Sequence, residues 1–126
     1  MCSKIKDSVA ASTKKGVVYR VPCTDCDAVY VGETMRTMSV RLQEHKRHTS
    51  SLQLQRSAIA EHAGTLGHSV NWEAATVLDN EMEWDKRKIK EALHIKYSAF
   101  TCDIMNKDTG WHVSDMWSDL LKQKVL

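Results

Sequence analysis

The sequence predicts a small α/β domain of the α+β kind, a three-stranded, mainly antiparallel sheet flanked by helices. Two short β-branched and aromatic runs, GVVYRV and AVYVGE, lie six residues apart, helix-period segments follow them, and one more strand-like run stands between the helices. The resulting order is strand, strand, helix, helix, strand, helix and tail. It is too short and too hairpin-led for a doubly wound parallel sheet. A chain of 126 residues, 42% apolar and 27% charged, suits one compact domain with a modest core.

Residues 1–13, rich in Ser, Lys and Ala without periodicity, read as a flexible segment or linker, so the domain is expected to span 14–126. The first two strands form a hairpin, because the Pro-Cys-Thr-Asp-Cys-Asp between them favours a turn. Thr34 is a candidate cap for a helix through MRTMSVRLQEHKRH, with Met38, Leu42 and His45 along one side and Arg41 sharing a face with His45. A polar loop leads to SAIAEHAGTLG, a second helix opened by Ser57 and closed by glycine. The third strand is expected over Glu73 to Leu78. The longest helix is expected from Glu81 to about Tyr97, with Trp84, Ile89, Ala92 and Leu93 as its apolar stripe and Arg87, Lys88, Glu91 and Ile95 to another side. A short tail helix is expected from Ser114 through Leu121.

No stretch approaches the roughly 20 apolar residues that span a bilayer, and the first residues lack the apolar core of a secretory signal. The expectation is a soluble, intracellular protein. A net charge of +2 does not announce nucleic-acid binding, but five basic residues (Arg36, Arg41, Lys46, Arg47, Arg56) face one acid (Glu44) between positions 36 and 56. A local positive face follows.

Cys23 and Cys26 form a Cys-x-x-Cys at the hairpin tip. A redox pair of this kind normally opens a helix after a strand, where the helix dipole lowers the thiol pKa, whereas Pro22 and Asp25 favour a turn here. The pair instead supplies half of a tetrahedral Zn²⁺ site, and His62 with His68, separated by five residues across Gly64 and Gly67, offers the other half. His45 and His48 compete for those ligand roles, although His45 has a better use beside Arg41.

Taken one at a time, Tyr19 and Tyr30 suit cross-strand packing, Glu91 a surface ion pair, Arg41 with His45 a solvated face, and Asn106 a turn. Their order and spacing resemble the GIY-YIG endonucleases. Val17-Val18-Tyr19 stands where the first signature falls, Tyr30-Val31-Gly32 where the second falls, RLQEH supplies Arg41 and His45, the long helix supplies Glu91, and MNKD supplies Asn106. The stretches YRVPCTDCDAVYVGET, SAIAEHAGTLGHSVNW, KRKIKEALHI and MNKDTGWHVSDMWSDLL resemble more narrowly the endonuclease domain of Penelope-like retroelements. The first signature departs from the usual pattern, with VVY for GIY.

That resemblance implies the GIY-YIG nuclease fold and a metal-dependent DNA endonuclease that nicks target DNA to prime reverse transcription. It implies Glu91 as the ligand of a catalytic Mg²⁺ (or Mn²⁺), Arg41 on the scissile phosphate, Tyr19 as the base helped by His45, Tyr30 on phosphate or water, and Asn106 fixing the phosphate or the base of the site. Gly32 lets the backbone approach closely. It further implies DNA as partner, a reverse transcriptase domain in the parent polypeptide, and a nuclear location. The alternative is a catalytically inactive, zinc-stabilised nucleic-acid-binding module. Oligomeric state and target sequence are left open.

Overall fold

The computed structural model describes residues 14–106. Three strands, β1 (Lys15–Pro22), β2 (Val29–Thr37) and β3 (Thr76–Asn80), form one open sheet in the order β2-β1-β3. Both pairings are antiparallel, so the expected α+β class is observed. The helices are α1 (Met38–Ser50), α2 (Ala58–Leu66) and α3 (Trp84–Ala99), with single 3₁₀ turns at Leu54–Arg56 and Trp72–Ala74.

As the central strand, β1 is buried on both faces, and its period-two alternation divides the core. Val17, Tyr19 and Val21 point to one side, where they pack with Met38 of α1 and Ile59 of α2. Val18 points to the other, where it packs with Val31 of β2 and Ile95 of α3. The sheet is thereby covered on both faces while β2 remains an edge. No helix among the described residues is long and apolar enough to cross a membrane.

Several boundaries differ from the sequence expectation, among them the start of α3, at Trp84 instead of Glu81. The second strand runs on to Thr37, which pairs with Lys15, so α1 starts at Met38 and its cap is Thr37, whose hydroxyl accepts from the Val40 N–H. Thr34 instead accepts from the Arg36 N–H within the strand. The third strand begins at Thr76, because Trp72–Ala74 is a 3₁₀ turn, and it extends to Asn80. In α3 the inward side is also shifted: Arg87, Glu91, Ala92, Leu93, Ile95 and Ser98 are buried, whereas Trp84 is 56% exposed.

That shift has a tertiary cause. Arg87 Nε donates to Glu33 Oε1 of β2 at 2.6 Å, and its Nη1 donates to the carbonyls of Glu81 and Met82 at 3.2 Å each. With its charge paired and its Nε and Nη1 groups hydrogen-bonded, a guanidinium can take an inward position that periodicity assigns to an apolar residue. The α2 boundaries match the expectation. Ser57 caps the first turn through the Ala60 N–H, and Gly67 ends the helix at φ 68°, in the left-handed conformation that glycine adopts without strain. The expected tail helix from Ser114 to Leu121 and the segment 1–13 lie outside the described residues.

Candidate functional site

Tyr19 and Gly32 are directly opposed in the β1–β2 ladder, and Tyr30 sits two residues before Gly32 on the same face. The two tyrosine rings are 6.2 Å apart. A Cβ built on Gly32 would lie 2.6 Å from the Tyr19 hydroxyl oxygen and 2.7 Å from Tyr30 Cε2. Glycine is what lets both phenols gather over one point of the backbone.

The helix α1 then brings His45 onto the pair. Its Nε2 is 3.0 Å from the Tyr19 oxygen, and its ring meets that of Tyr30 edge-on at 5.3 Å. The other ring nitrogen, Nδ1, is 2.9 Å from Ser57 Oγ at the start of α2. Tyr19 is wholly buried and His45 is 1% exposed. Burial pushes the Tyr19 phenol well above its ordinary value near 10; neighbouring Tyr30 adds to the rise, the Arg41 guanidinium opposes it, and Glu91 adds a smaller push. Burial, with the charge of Arg41 behind it, lowers His45 to about 3, so the imidazole is neutral at physiological pH.

Arg41 is on the rim of this cluster, within electrostatic reach of both tyrosines. Its Nη1 donates to Glu44 Oε1 at 2.7 Å, and Arg36 Nη2 holds the other oxygen of the same carboxylate at 2.7 Å. Glu91, on α3, reaches the same tyrosine electrostatically, yet its direct ion pair is with Lys88 Nζ at 3.4 Å. Lys88 is also 3.4 Å from Glu33 Oε2, so one ammonium stands between two carboxylates. The Asn106 side chain engages the backbone of β2. Its Oδ1 accepts from the Val31 N–H at 3.1 Å and its Nδ2 donates to the Val31 carbonyl at 2.7 Å, so its amide clamps the main chain between Tyr30 and Gly32.

The hairpin tip carries a second cluster. The donor atoms of Cys23, Cys26, His62 and His68 all lie within 4.8 Å of one another. Cys23 Sγ to His68 Nδ1 and Cys26 Sγ to His62 Nε2 are both 3.5 Å, and the two histidine nitrogens are 3.3 Å apart. Tetrahedral zinc, with bonds of about 2.3 Å to sulfur and about 2.05 Å to nitrogen, requires S···N edges of about 3.6 Å and an N···N edge of about 3.4 Å. These three edges match, and the cluster could hold a zinc ion.

The surrounding chain is arranged to keep it so. The N–H groups of Asp25 and Ala28 approach Cys23 and Cys26 Sγ at 3.4 Å each, as suits thiolate ligands. Asp25 Oδ2 accepts from the Ser69 N–H at 2.7 Å, and the Thr24 N–H donates to the Ser69 carbonyl at 2.8 Å, tying the tip to the residue after His68. Burial, reinforced by His68, pushes His62 below its usual range, which leaves its lone pair available to a metal. Burial also raises the Cys26 thiol, so ionisation there is left to the metal. His45 and His48 are not members of this cluster.

Two participants were not identified from sequence. Ser57 reads there only as a helix cap, and nothing local signals that its hydroxyl also meets an imidazole from another helix. Glu33 is an ordinary exposed position of an edge strand until α3 is placed across it. Comparison of the chain with known protein families, with curated proteins and with solved structures gives no match.

Proposed function

We propose that the chain is a divalent-metal-dependent DNA endonuclease of the GIY-YIG kind, of the type carried by Penelope-like retroelements, acting by hydrolysis of a phosphodiester bond. The observation that carries this reading is the convergence of Tyr19, Tyr30 and His45 over Gly32, where a Cβ would collide with both phenol rings, with Arg41 at the rim. Packing alone does not ask for a buried phenol, a half-buried one, a neutral imidazole and a forced glycine at one point.

Arg41 suits the scissile phosphate, because its planar fork matches two phosphate oxygens and a phosphate would take the place of the Glu44 carboxylate it now holds. Tyr19, as the phenolate, accepts a proton from water while the water oxygen bonds to phosphorus and the bond from phosphorus to the 3′ oxygen breaks. Its raised pKa makes help from positive neighbours a requirement, and Arg41 is the cation within reach. Asn106 keeps Tyr30 and Gly32 in register by holding Val31 between them.

Glu91 fits a magnesium ligand: it is a hard oxygen donor in a place where a cation, the Lys88 ammonium, already stands between it and Glu33. Magnesium or manganese held there would neutralise charge on the phosphate and the leaving oxygen. Zinc in the Cys23, Cys26, His62 and His68 cluster would have a structural role, bracing the hairpin that presents both tyrosines. A nick that leaves a 3′ hydroxyl suits the priming of reverse transcription by a polymerase domain elsewhere in the parent protein, in the nucleus.

One observation favours a second reading, a zinc-stabilised module that binds nucleic acid without cutting it. Lys88 already neutralises the Glu91 carboxylate that would hold magnesium. The experiment is incubation of the purified chain with supercoiled plasmid in Mg²⁺ or Mn²⁺, with EDTA as control, beside a binding titration over a salt series. Open circles formed only with metal support the nuclease. Salt-dependent binding with no product under any divalent ion favours the binding module.

A further inference from the structure

At the junction of β2 and α1 one carboxylate is shared by two arginines. Arg36, in the last turn of chain before α1, places Nη2 2.7 Å from Glu44 Oε2, and Arg41, on α1 itself, places Nη1 2.7 Å from Oε1. Hydrogen bonds from Arg36 and then from Arg41 hold the Glu44 carboxyl below its ordinary range, so it is charged at neutral pH. Two guanidiniums on the two oxygens of one anion is also the arrangement with which arginines take up a phosphate.

The group remains cationic after this pairing, because two positive charges meet one negative. Glu44 is the only acid in α1, whose later part carries Lys46, Arg47 and His48. The Arg36 side chain is 54% exposed, and those of Arg41 and Glu44 are 28% and 22% exposed, so the group is open to solvent. Ser39, Gln43 and Arg47 line a depression with Glu44, offering donors and a further cation beside it. An ion pair in such a place is weak enough for a polyanion to displace, since each phosphate neutralised by an arginine releases counterions condensed on the duplex.

We propose that Glu44 holds the place of backbone phosphate in the free chain, and that Arg36 is a second phosphate-binding residue beside Arg41, both arginines exchanging the carboxylate for phosphates of one strand when DNA binds. The inference rests on the reading that the chain binds DNA, which the nuclease and the binding module share. Under the nuclease reading, Arg41 takes the scissile phosphate and Arg36 a neighbouring one. A phosphate carries no base identity, so the exchange is the same for every sequence. A Glu44 that merely braced Arg41 would have the opposite signature, because removing its charge would then weaken binding.

The test is fluorescence anisotropy of a short labelled duplex titrated with the full chain over a salt series, without added Mg²⁺ or Mn²⁺. The chains compared are unmodified, Arg36→Ala, Glu44→Gln and Lys96→Ala, each checked by thermal melting. Lys96 is exposed near the end of α3, on the sheet face opposite α1, and controls for the loss of one positive charge. Glu44→Gln is expected to bind about tenfold tighter at about 0.1 M salt. Arg36→Ala should bind about five- to tenfold more weakly there, with the slope of log K against log salt shallower by about 0.9, the loss of one phosphate contact, while Lys96→Ala keeps the unmodified slope.

A Glu44→Gln chain that binds no tighter overturns the proposal, as does an Arg36→Ala slope equal to that of the unmodified chain or of Lys96→Ala. The Arg36→Ala slope decides even where Glu44→Gln does not fold. If the plasmid is nicked but neither variant changes binding as expected, the inference fails alone. The expected changes in a chain that never cuts DNA support the inference and count against the nuclease reading alone, whereas no binding by any chain overturns the inference together with the DNA reading.

Discussion

At Gly32 a single methyl group decides whether two tyrosines can share a site. Tyr19 is buried and hydrogen-bonded, so it cannot swing away from a Cβ 2.6 Å from its oxygen. Gly32→Ala should therefore cost about 1–3 kcal/mol in urea unfolding, as overpacking does, and should also displace the phenol from His45. His45 predicts a pH dependence of stability. Its folded pKa, about 3, is below the unfolded value of 6.5, so the unfolded chain takes up a proton that the folded chain refuses. Stability is fully present above pH 6.5 and falls as pH drops toward 3, by up to about 1.4 kcal/mol per pH unit from this group. Urea midpoints from pH 7 to pH 4 should fall less steeply for His45→Gln, which has no proton to gain, and equal slopes would refute the assignment.

Among the elements, α2 has two attachments: its first residue is capped by Ser57, which holds His45, and its middle and end bring His62 and His68 to the hairpin tip. Cys23 and Cys26 arrive from the other side, on the turn that joins the two tyrosine strands. A metal in the cluster links the tip to α2. Metal analysis should find one zinc per chain, and its removal by chelation or by Cys23→Ser should lower the thermal midpoint by about 10 °C or more. An unchanged midpoint would show that the cluster does not brace the fold. The contact of α3 with β2 rests on Arg87 and Glu33 at 2.6 Å, both largely buried. Arg87→Ala should destabilise by about 3 kcal/mol, because it strands the Glu33 carboxylate. Lys88→Ala, at a more exposed pair, should cost about 1 kcal/mol or less.

For the molecule as a whole, the parts legible in the sequence were those set by local chemistry. The hairpin followed from β-branched runs around a Pro and Asp turn, and α2 followed from a serine cap and a left-handed glycine. The metal cluster was legible because cysteines three positions apart and histidines six positions apart are a spacing that chemistry restricts. What was not legible depended on partners distant in the chain. The start of α1 was displaced because Lys15, at the opposite end of the hairpin, holds Thr37 in the ladder. The inward side of α3 was misread because Arg87 finds Glu33 from 54 positions away, and Asn106 clamps Val31 across 75. Ser57 was seen as a cap and not as the partner of an imidazole, since only the packing of α1 on α2 makes it one.

The central claim is that the tyrosine cluster and Glu91 cut DNA together. The most direct measurement is nicking of supercoiled plasmid in Mg²⁺ by the unmodified chain, Tyr19→Phe and Glu91→Ala, with folding of each checked by thermal melting. Open circles from the unmodified chain, and at least about a hundredfold less from either folded variant, are the predicted result. Nicking by Tyr19→Phe at the unmodified rate, or no nicking by any chain that binds the plasmid, would contradict it.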